Sequence, residues 1–266
     1  MTIRILYNGA AGKMGRLMTN GMLGEDDMQL VAAVDIQHVG EDAGVLAGRG
    51  PCGVLIENDL TAAIERVKPD VMLDFTSPHA IQNSLRVALT HGVACVVGTT
   101  GLTDECYKMA EELSVEYKAP VFACANYAIT CVLMMKFAAM ASRYFPNYEI
   151  IEIHDDKKLD APSGTAIEAA RMIARERSYL KQGHPEEFEV LPGARGGEFD
   201  GARIHSIRVP GVESIHEVFI GGPGQTLSIR HDATNFSCFW PGVALALRKV
   251  QSLQGLTIGL DQIMDW

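Results

Sequence analysis

A histidine, a lysine and a helix-start signal lie close together in Ile151–Ala166, which reads IEIHDDKKLDAPSGTA. His154 is the one group in this stretch that can give or take a proton near neutral pH. Lys158 adds a positive charge, and the Pro-Ser-Gly-Thr sequence starts a helix. The free N–H groups of Gly164 and Thr165 would then suit a carboxylate. Together they predict reduction of a carboxylated substrate; the alternative is a solvated charged loop before an ordinary capped helix.

A glycine-rich turn near the N-terminus, GAAGKMG, could hold a dinucleotide. Its GxxGxxG spacing is a variant of the dinucleotide fingerprint. Gly9 would permit the tight turn, Gly12 the approach of backbone to pyrophosphate, and Gly15 the close packing of helix on strand. The positive end of the following helix also favours phosphate. A plain strand-to-helix turn is the alternative.

Asp35 is the acidic partner expected for such a turn. It follows Gly9 by 35 − 9 = 26 positions, close to the offset of about 20 at which a carboxylate binds the adenosine ribose. A carboxylate favours the free 2′-hydroxyl of NADH and repels the 2′-phosphate of NADPH, although Lys13 could neutralise that phosphate. We therefore expect NADH to be preferred and NADPH tolerated. The alternative is a turn aspartate at a strand end.

Two further loops, Asp74–Pro78 (DFTSP) and Gly98–Gly101 (GTTG), follow predicted strands. Ligands of open parallel sheets bind beyond the carboxyl ends of the strands. Both loops are therefore expected to border the nicotinamide half of the cofactor. Taken alone, each would be an ordinary turn.

The elements that must position these residues change character midway along the 266-residue chain. Apolar strands and helices alternate in the first half, which predicts a parallel sheet covered on both faces. A long helix and three strand-like segments with Gly/Pro turns follow, and 181–201 is predicted to be a loop. The fold class is thus α/β: a Rossmann-like dinucleotide-binding domain over 1–125, with 236–266 packing back onto it. An α+β substrate-binding and oligomerisation domain with a mixed sheet covers 126–235.

Composition narrows the class of protein. A net charge of −10 argues against nucleic acid as a partner. No window reaches the roughly 18 unbroken apolar residues of a membrane span, and the first residues show no signal-peptide pattern. The six cysteines form no CxxC pair, and the histidines show no metal-ligand spacing. We expect a cytoplasmic protein with reduced thiols and without a metal.

These motifs, in this order, closely resemble the 4-hydroxy-tetrahydrodipicolinate reductase family of bacterial and plant lysine biosynthesis. The stretch Ile151–Ala166 is similar to the family pattern E-x-H-H-x-x-K-x-D-A-P-S-G-T. The resemblance extends over essentially the whole chain. It includes the glycine turn, the DFTSP and GTTG loops, Ala125-Asn126-Tyr127, IHSIRVPG at Ile204–Gly211, and GGPGQTLSIRHD at Gly221–Asp232.

The resemblance implies a reaction: (2S,4S)-4-hydroxy-2,3,4,5-tetrahydrodipicolinate is reduced by NADH or NADPH to 2,3,4,5-tetrahydrodipicolinate, in the diaminopimelate route to lysine. It implies a small dicarboxylate substrate and a homotetramer. His154 matches the catalytic proton donor/acceptor, Lys158 the second donor, and Gly164 and Thr165 the carboxylate-binding pair. The implied cofactor contacts are Gly9, Ala10, Ala11, Gly12, Lys13, Met14, Asp35, Gly98, Thr99, Thr100, Cys124, Ala125, Asn126 and Tyr127.

Two positions depart from the family pattern. Asp155 stands where the family has a second histidine that contacts substrate, and a carboxylate there would repel a dicarboxylate. Asp155 is thus a candidate substrate-binding position that either turns away, toward Lys157, or alters substrate affinity; protonation of Asp155 in the site is a third alternative. Our hypothesis is that Asp155 is dispensable. Thr130 stands where the family often has glycine. Two other functions stay open: a related nicotinamide oxidoreductase acting on another amino-acid-derived imine, and a non-catalytic dinucleotide-binding protein.

Overall fold

Two compact units make up the computed structural model, which describes residues 2–266. The first unit runs to Tyr127 and resumes with Phe236–Trp266, and the second is Ala128–Asn235. Each unit has a sheet of its own. No helix within the described residues combines the length and apolarity needed to cross a membrane.

The first unit has a seven-stranded parallel sheet with helices between its strands. The strand order is β12-β6-β5-β4-β1-β2-β3, and every pairing is parallel. The strands are β1 Ile3–Asn8, β2 Met28–Val34, β3 Ile56–Glu57, β4 Val71–Asp74, β5 Ala94–Val97, β6 Val121–Ala123 and β12 Leu256–Ile258. The helices are α1 Lys13–Met22, α2 Ala43–Leu46, α3 Leu60–Val67, α4 Ile81–Thr90, α5 Asp104–Glu116 and α8 Trp240–Lys249. This is the Rossmann-like, α/β architecture predicted from the alternating pattern.

The strands of this sheet are apolar throughout because both faces are covered. All four residues of β4 and of β5 are buried. The C-terminal segment contributes β12, which pairs with β6 at the edge of the sheet. The sequence pattern did not predict this strand. A three-residue edge strand leaves too short a pattern to recognise.

The second unit has a five-stranded mixed sheet of order β11-β10-β7-β9-β8. Its central strand β7 runs antiparallel to β10 and parallel to β9. The strands are β7 Asn147–His154, β8 Gly197–Phe199, β9 Ala202–Arg208, β10 Ser214–Gly222 and β11 Gln225–Ala233, and the helices are α6 Ile129–Ser142 and α7 Gly164–Glu176. The mixed sheet agrees with the prediction, but the predicted loop over 181–201 contains β8.

The two faces of this sheet differ in burial. Alternate residues of β7 from Tyr148 to His154 are buried, whereas their neighbours are only partly buried. Since successive side chains of a strand point to opposite faces, one face carries the core and the other is open. Phe219 on β10 lies on the open face and is 41% exposed.

Candidate active site

The proton-transfer candidate His154 is the last residue of β7, on the covered face of the sheet. Glu152 lies two residues earlier and therefore on the same face. Glu152 is fully buried and His154 is 9% exposed. The carboxylate of Glu152 hydrogen-bonds Nδ1 of the His154 ring. Strand alternation therefore pairs the histidine with a carboxylate, which the sequence analysis did not single out.

A guanidinium neutralises this buried carboxylate. Arg208 on β9 donates from Nη2 to Oε1 of Glu152 at 2.8 Å and from Nη1 to Oε2 at 3.0 Å. Burial opposes ionisation of Glu152, but hydrogen bonds from Arg208, Ser206 and His154 keep its pKa below the usual value. Glu152 is thus an ionised acceptor, and Nδ1 of His154 must carry a proton to donate to it.

The other nitrogen of His154 faces the start of β10. Its Nε2 lies 3.2 Å from Oγ of Ser214. Burial lowers the pKa of His154 below that of an ordinary histidine, against the opposing attraction of Glu152. The ring is therefore neutral at pH 7, with its lone pair on Nε2.

Two more histidines lie beside His154. The ring of His216 is 5.2 Å from that of His154, centroid to centroid, and 6.3 Å from that of His231, which is stacked on it. Burial lowers the pKa of His216 to about 3. Nδ1 of His231 lies 2.8 Å from the hydroxyl of Thr130, so the departure at Thr130 provides a partner for the outermost ring.

Lys158 is the accessible cation of this group. Its Nζ donates to Oδ1 of Asp160 at 2.7 Å, and its side chain is 27% exposed. Asp155 accepts from the backbone N–H of Lys157 at 3.1 Å and of Gly211 at 3.3 Å. These two bonds lower its pKa. The Asp155 carboxylate is therefore held by backbone donors, including the one at Lys157.

Helix α7 begins directly after this loop. Ser163 is its N-cap, and its Oγ accepts from the N–H of Ala166 at 3.2 Å. The N–H groups of Gly164 and Thr165, in the first turn, have no acceptor within residues 2–266. A Cβ added at Gly164 would meet nothing within 4 Å. This open helix N-terminus suits a carboxylate, as the sequence predicted.

The spacing of Glu152, His154 and His216 also deserves comparison with metal sites. Their ligand atoms lie within 4.8 Å of one another. Arg208, however, already occupies both oxygens of Glu152. A cation added here would face that guanidinium, so we interpret the three residues as a hydrogen-bonded cluster.

In the first unit, the glycine turn joins β1 to α1. Gly9 has φ +88°, and a Cβ there would lie 2.5 Å from the carbonyl oxygen of Phe75. A Cβ at Gly15 would lie 2.3 Å from the oxygen of Gly9, whereas one at Gly12 would have no protein atom closer than 3.6 Å. The first turn of α1 has no side-chain cap. Space at Gly12 and uncapped N–H groups fit a pyrophosphate.

Asp35 follows β2 and contacts this turn. Its carboxylate accepts from the N–H of Ala11 at 2.9 Å and of Gln37 at 3.0 Å. Arg16 lies beside it: its Nε donates to the oxygen of Ala11 at 2.9 Å, and its Nη2 is 3.2 Å from Nε2 of His38. The sequence analysis had not identified Arg16 and His38 at this strand end.

Lys13, which the sequence suggested as a partner for a 2′-phosphate, contacts an aromatic ring. Its Nζ stands 3.3 Å from the ring centroid of Phe236. That is a cation–π contact within the first unit. Met14, the next residue, is partly buried in the same helix turn. Arg16 is consequently the cation nearest Asp35 in the hydrogen-bonded group described above.

The DFTSP and GTTG loops are joined by a buried carboxylate. Asp74 accepts from Thr99 Oγ1, Thr76 Oγ1 and Asn8 Nδ2, each at 2.8 Å. Burial raises the pKa of Asp74 in spite of these bonds. A Cβ at Gly98 would lie 2.1 Å from the ring of Phe75. These contacts therefore connect the carboxyl ends of β1, β4 and β5. Thr100, the last predicted cofactor contact in the GTTG loop, is exposed.

The predicted contacts after β6 divide into two kinds. Cys124 and Tyr127 are buried: the thiol of Cys124 donates to the oxygen of Asn126 at 3.0 Å, and the phenol of Tyr127 donates to Val97 at 2.8 Å. Ala125 is exposed and Asn126 partly buried. Only the two middle residues thus offer surface to a ligand.

Comparison with known proteins covers both units. Residues 3–127 match the family model described as Dihydrodipicolinate reductase, N-terminus, and residues 130–264 match the one described as Dihydrodipicolinate reductase, C-terminus. The 4-hydroxy-tetrahydrodipicolinate reductase of Desulfitobacterium hafniense is 44% identical over 264 residues, 99% of each chain. That of Geobacillus kaustophilus is 44% identical over 265 residues, 100% of each chain.

A solved structure agrees with these relatives. The dipicolinate-bound dihydrodipicolinate reductase from Paenisporosarcina sp. TG-14 is 41% identical, with a TM-score of 0.90, covering 99% of this chain and 100% of its own. Both sheets of this chain therefore have a counterpart in a reductase of known structure. The chain belongs to the dihydrodipicolinate reductase family.

Proposed function

We propose that this chain reduces (2S,4S)-4-hydroxy-2,3,4,5-tetrahydrodipicolinate to 2,3,4,5-tetrahydrodipicolinate with NADH or NADPH, in lysine biosynthesis through diaminopimelate. The observation that carries the proposal is the neutral His154, held by ionised Glu152, next to Lys158 and the open start of α7. Binding of a dicarboxylate needs positive partners, and its proposed reduction needs a proton acceptor. This acidic chain places both kinds of group at the end of β7 and the start of α7.

The substrate carboxylates would be bound by Lys158 and by the first turn of α7. Lys158 supplies a full charge, and the N–H groups of Gly164 and Thr165 supply directed donors at the positive end of a thirteen-residue helix. Asp155 does not need to face the substrate, because backbone N–H groups satisfy its carboxylate. This removes the main reason for preferring another imine as substrate.

His154 and Lys158 would divide the protons between them. Neutral His154 accepts a proton at Nε2 from the ring carbon beside C4, while Lys158 protonates the departing hydroxyl to give water. When bound at the glycine turn, a reduced nicotinamide would supply the hydride that C4 receives. His154 then returns its proton to the neighbouring carbon. Lys158 ends the reaction without its proton and takes a new one from solvent.

The nicotinamide cofactor would lie on the glycine turn, with Asp35 at the adenosine ribose. Asp35 favours a free 2′-hydroxyl, so NADH is the preferred donor in this proposal. Arg16 and His38 at the same strand end supply positive and hydrogen-bonding groups for a 2′-phosphate, so NADPH is tolerated. Steady-state kinetics with both cofactors test this: a tenfold preference for NADPH, about 1.4 kcal/mol, would contradict it.

The homotetramer is also part of the proposal. The open face of the second sheet carries Phe219 and Ile207, which are 41% and 40% exposed. An apolar sheet face of this kind suits burial against other copies of the chain. The predicted cytoplasmic location rests on the sequence alone.

The decisive experiment is an assay coupled to enzymatic production of the substrate, following NADH oxidation. The wild-type chain should turn over, and Lys158→Ala should lose at least about two orders of magnitude in kcat, as expected when a positioned proton donor is removed. Lys157→Ala is the matched control, since its side chain is neighbouring and exposed. Binding of NADH without turnover would instead support the non-catalytic alternative.

A further inference from the structure

One hydroxyl stands between two of the buried histidines. Oγ of Ser214 lies 3.2 Å from Nε2 of His154 and 3.4 Å from Nδ1 of His216. A serine hydroxyl has a single proton, so it can donate to only one of the two rings and must accept from the other. The direction of these two bonds therefore decides which histidine nitrogen carries a proton.

The Glu152 end fixes the direction. Arg208 keeps Glu152 ionised, and the Glu152 carboxylate accepts a hydrogen bond from Nδ1–H of His154. A neutral His154 with its proton on Nδ1 offers only a lone pair at Nε2, so Ser214 donates to it. The oxygen of Ser214 is then free to accept from Nδ1–H of His216.

The other end of this series of hydrogen bonds, at the start of α7, gives the same direction. A proton on Nδ1 leaves Nε2 of His216 as an acceptor, and this atom is 3.0 Å from Oγ of Ser163. Ser163 accepts from the N–H of Ala166 as the cap of α7, and its own O–H can therefore donate to His216. In this series of hydrogen bonds each donor therefore meets one acceptor. The series runs through Ala166, Ser163, His216, Ser214 and His154 and ends at the acceptor Glu152.

We propose that His216 is a positioning residue: through Ser214 it keeps Nε2 of His154 unprotonated, and it anchors that arrangement on the N-cap of α7. This rests on the proposed function, in which His154 accepts a proton at Nε2; because the ring has one lone pair there, the Ser214 hydroxyl must release Nε2 when the substrate presents its proton. His216 touches no reacting atom; it acts through the hydroxyl of Ser214. The same series of hydrogen bonds connects His154, the proposed proton acceptor, to the start of α7, which would hold a substrate carboxylate.

The electrostatic surroundings keep the connecting ring neutral. Burial lowers the pKa values of both His216 and His231. A neutral His216 can hold one proton on Nδ1 without adding charge beside His154. The titratable and charged groups around His154 are Glu152 on β7, Arg208 on β9, His216 on β10, His231 on β11, and Lys158, Asp155 and Asp160 in the loop before α7.

The first test reads the protons directly and needs no substrate. Long-range ¹H–¹⁵N correlation of the wild-type chain at neutral pH distinguishes protonated from unprotonated ring nitrogens. We expect both His154 and His216 to carry their proton on Nδ1. A His216 protonated on Nε2 would reverse the chain and overturn the proposal. Activity does not enter this measurement, so a failed assay would reject the proposed function and leave this inference to be judged by itself.

Two substitutions at His216 separate its two nitrogens. The amide of His216→Asn can replace Nδ1 and donate to Ser214, whereas that of His216→Gln reaches the Nε2 position beside Ser163. We expect His216→Asn to keep the pKa of His154 close to the wild-type value. Ser214→Ala should raise it by about half a pH unit to one pH unit, because a hydrogen bond to the neutral ring is lost. His216→Gln should raise it in the same direction, because the Ser214 oxygen loses the donor that directs the hydroxyl proton toward His154.

The acid limb of kcat/KM should move upward by the same amount in those two variants and stay in place in His216→Asn. Thr130→Ala is the control, since it removes a hydroxyl from His231, outside the chain. An equal shift in Thr130→Ala would assign the effect to packing of the rings and refute the proposal. So would a pKa of His154 that is unchanged in both Ser214→Ala and His216→Gln.

Discussion

At the scale of single residues, Asp155 stands where the family pattern quoted above has a second histidine, and its carboxylate is bound within the protein. Its two oxygens accept from the N–H groups of Lys157 and Gly211. The carboxylate thus shapes the loop that ends at α7. In place of that histidine, this chain has a carboxylate that bonds to its own backbone.

The first prediction concerns this residue. Asp155→Asn keeps one acceptor for the backbone donors and removes the charge, so kcat/KM should change by less than about threefold. Asp155→His restores the family residue and should raise kcat/KM by less than about tenfold. Steady-state kinetics of both variants decide the matter. A larger gain in Asp155→His would mean that the aspartate handicaps substrate binding.

The second prediction follows from the lowered pKa of His154. Because burial lowers this pKa, the ring stays neutral down to a pH below the ordinary histidine value. A proton acceptor works in its neutral form, so kcat/KM should hold above that pKa and fall as pH decreases through it. A pH profile of kcat/KM measures the midpoint. An acid limb lying above the ordinary histidine pKa would contradict the assignment of His154 as acceptor.

At the scale of elements, the glycine turn shows how one short motif can serve two purposes. Gly9 and Gly15 are required by packing, because an added Cβ would meet backbone oxygens at 2.5 and 2.3 Å. Gly12 is not, because the protein leaves room around it. An empty position at the start of an uncapped helix is best explained by a ligand that approaches the backbone there.

The third prediction separates these roles. Gly12→Ala should leave the melting temperature near the wild-type value and weaken NADH binding roughly tenfold, since the new methyl group occupies the ligand's space. Gly15→Ala should lower the melting temperature by several degrees, because its Cβ overlaps backbone that cannot move cheaply. Thermal denaturation and NADH titration measure both effects. Equal loss of stability in the two variants would remove this evidence for a phosphate at Gly12.

At the scale of the whole molecule, the open face of the second sheet bears on assembly. The β7 residues on this open face alternate along the strand with buried residues, which include Glu152 and His154. The same strand therefore presents the site to one side and a partly apolar surface to the other. If copies of the chain cover that surface, the interface lies on the strand that ends in His154.

The fourth prediction tests this assembly. Phe219→Glu places a charge on the open face and should convert a tetramer to smaller species, because burying an unpaired carboxylate is costly. Val115→Glu is the control, since Val115 is 63% exposed on α5 of the other unit. Light scattering after size exclusion gives the mass of each variant. A Phe219→Glu protein with an unchanged mass would exclude this face from the interface.

The sequence by itself determined the fold class, the glycine turn and the family. Each depends on local order along the chain: alternating strands and helices, fixed glycine spacing, and a signature from His154 to Thr165 that departs from the family pattern at Asp155. The alternation of the longer strands and helices also followed, since helical and strand periodicity is local. The short strands β3, β8 and β12 did not, because two or three residues carry no period.

Only the tertiary structure decided what surrounds the catalytic candidates. Arg208, Ser214 and His216 are 54, 60 and 62 positions from His154 in the sequence, yet sheet pairing brings them to one carboxylate and one imidazole. Glu152 alone left a signal, because residues two apart in a strand share a face. Protonation depends on burial and on such distant partners, so the neutral state of His154 emerges only once the strands have paired.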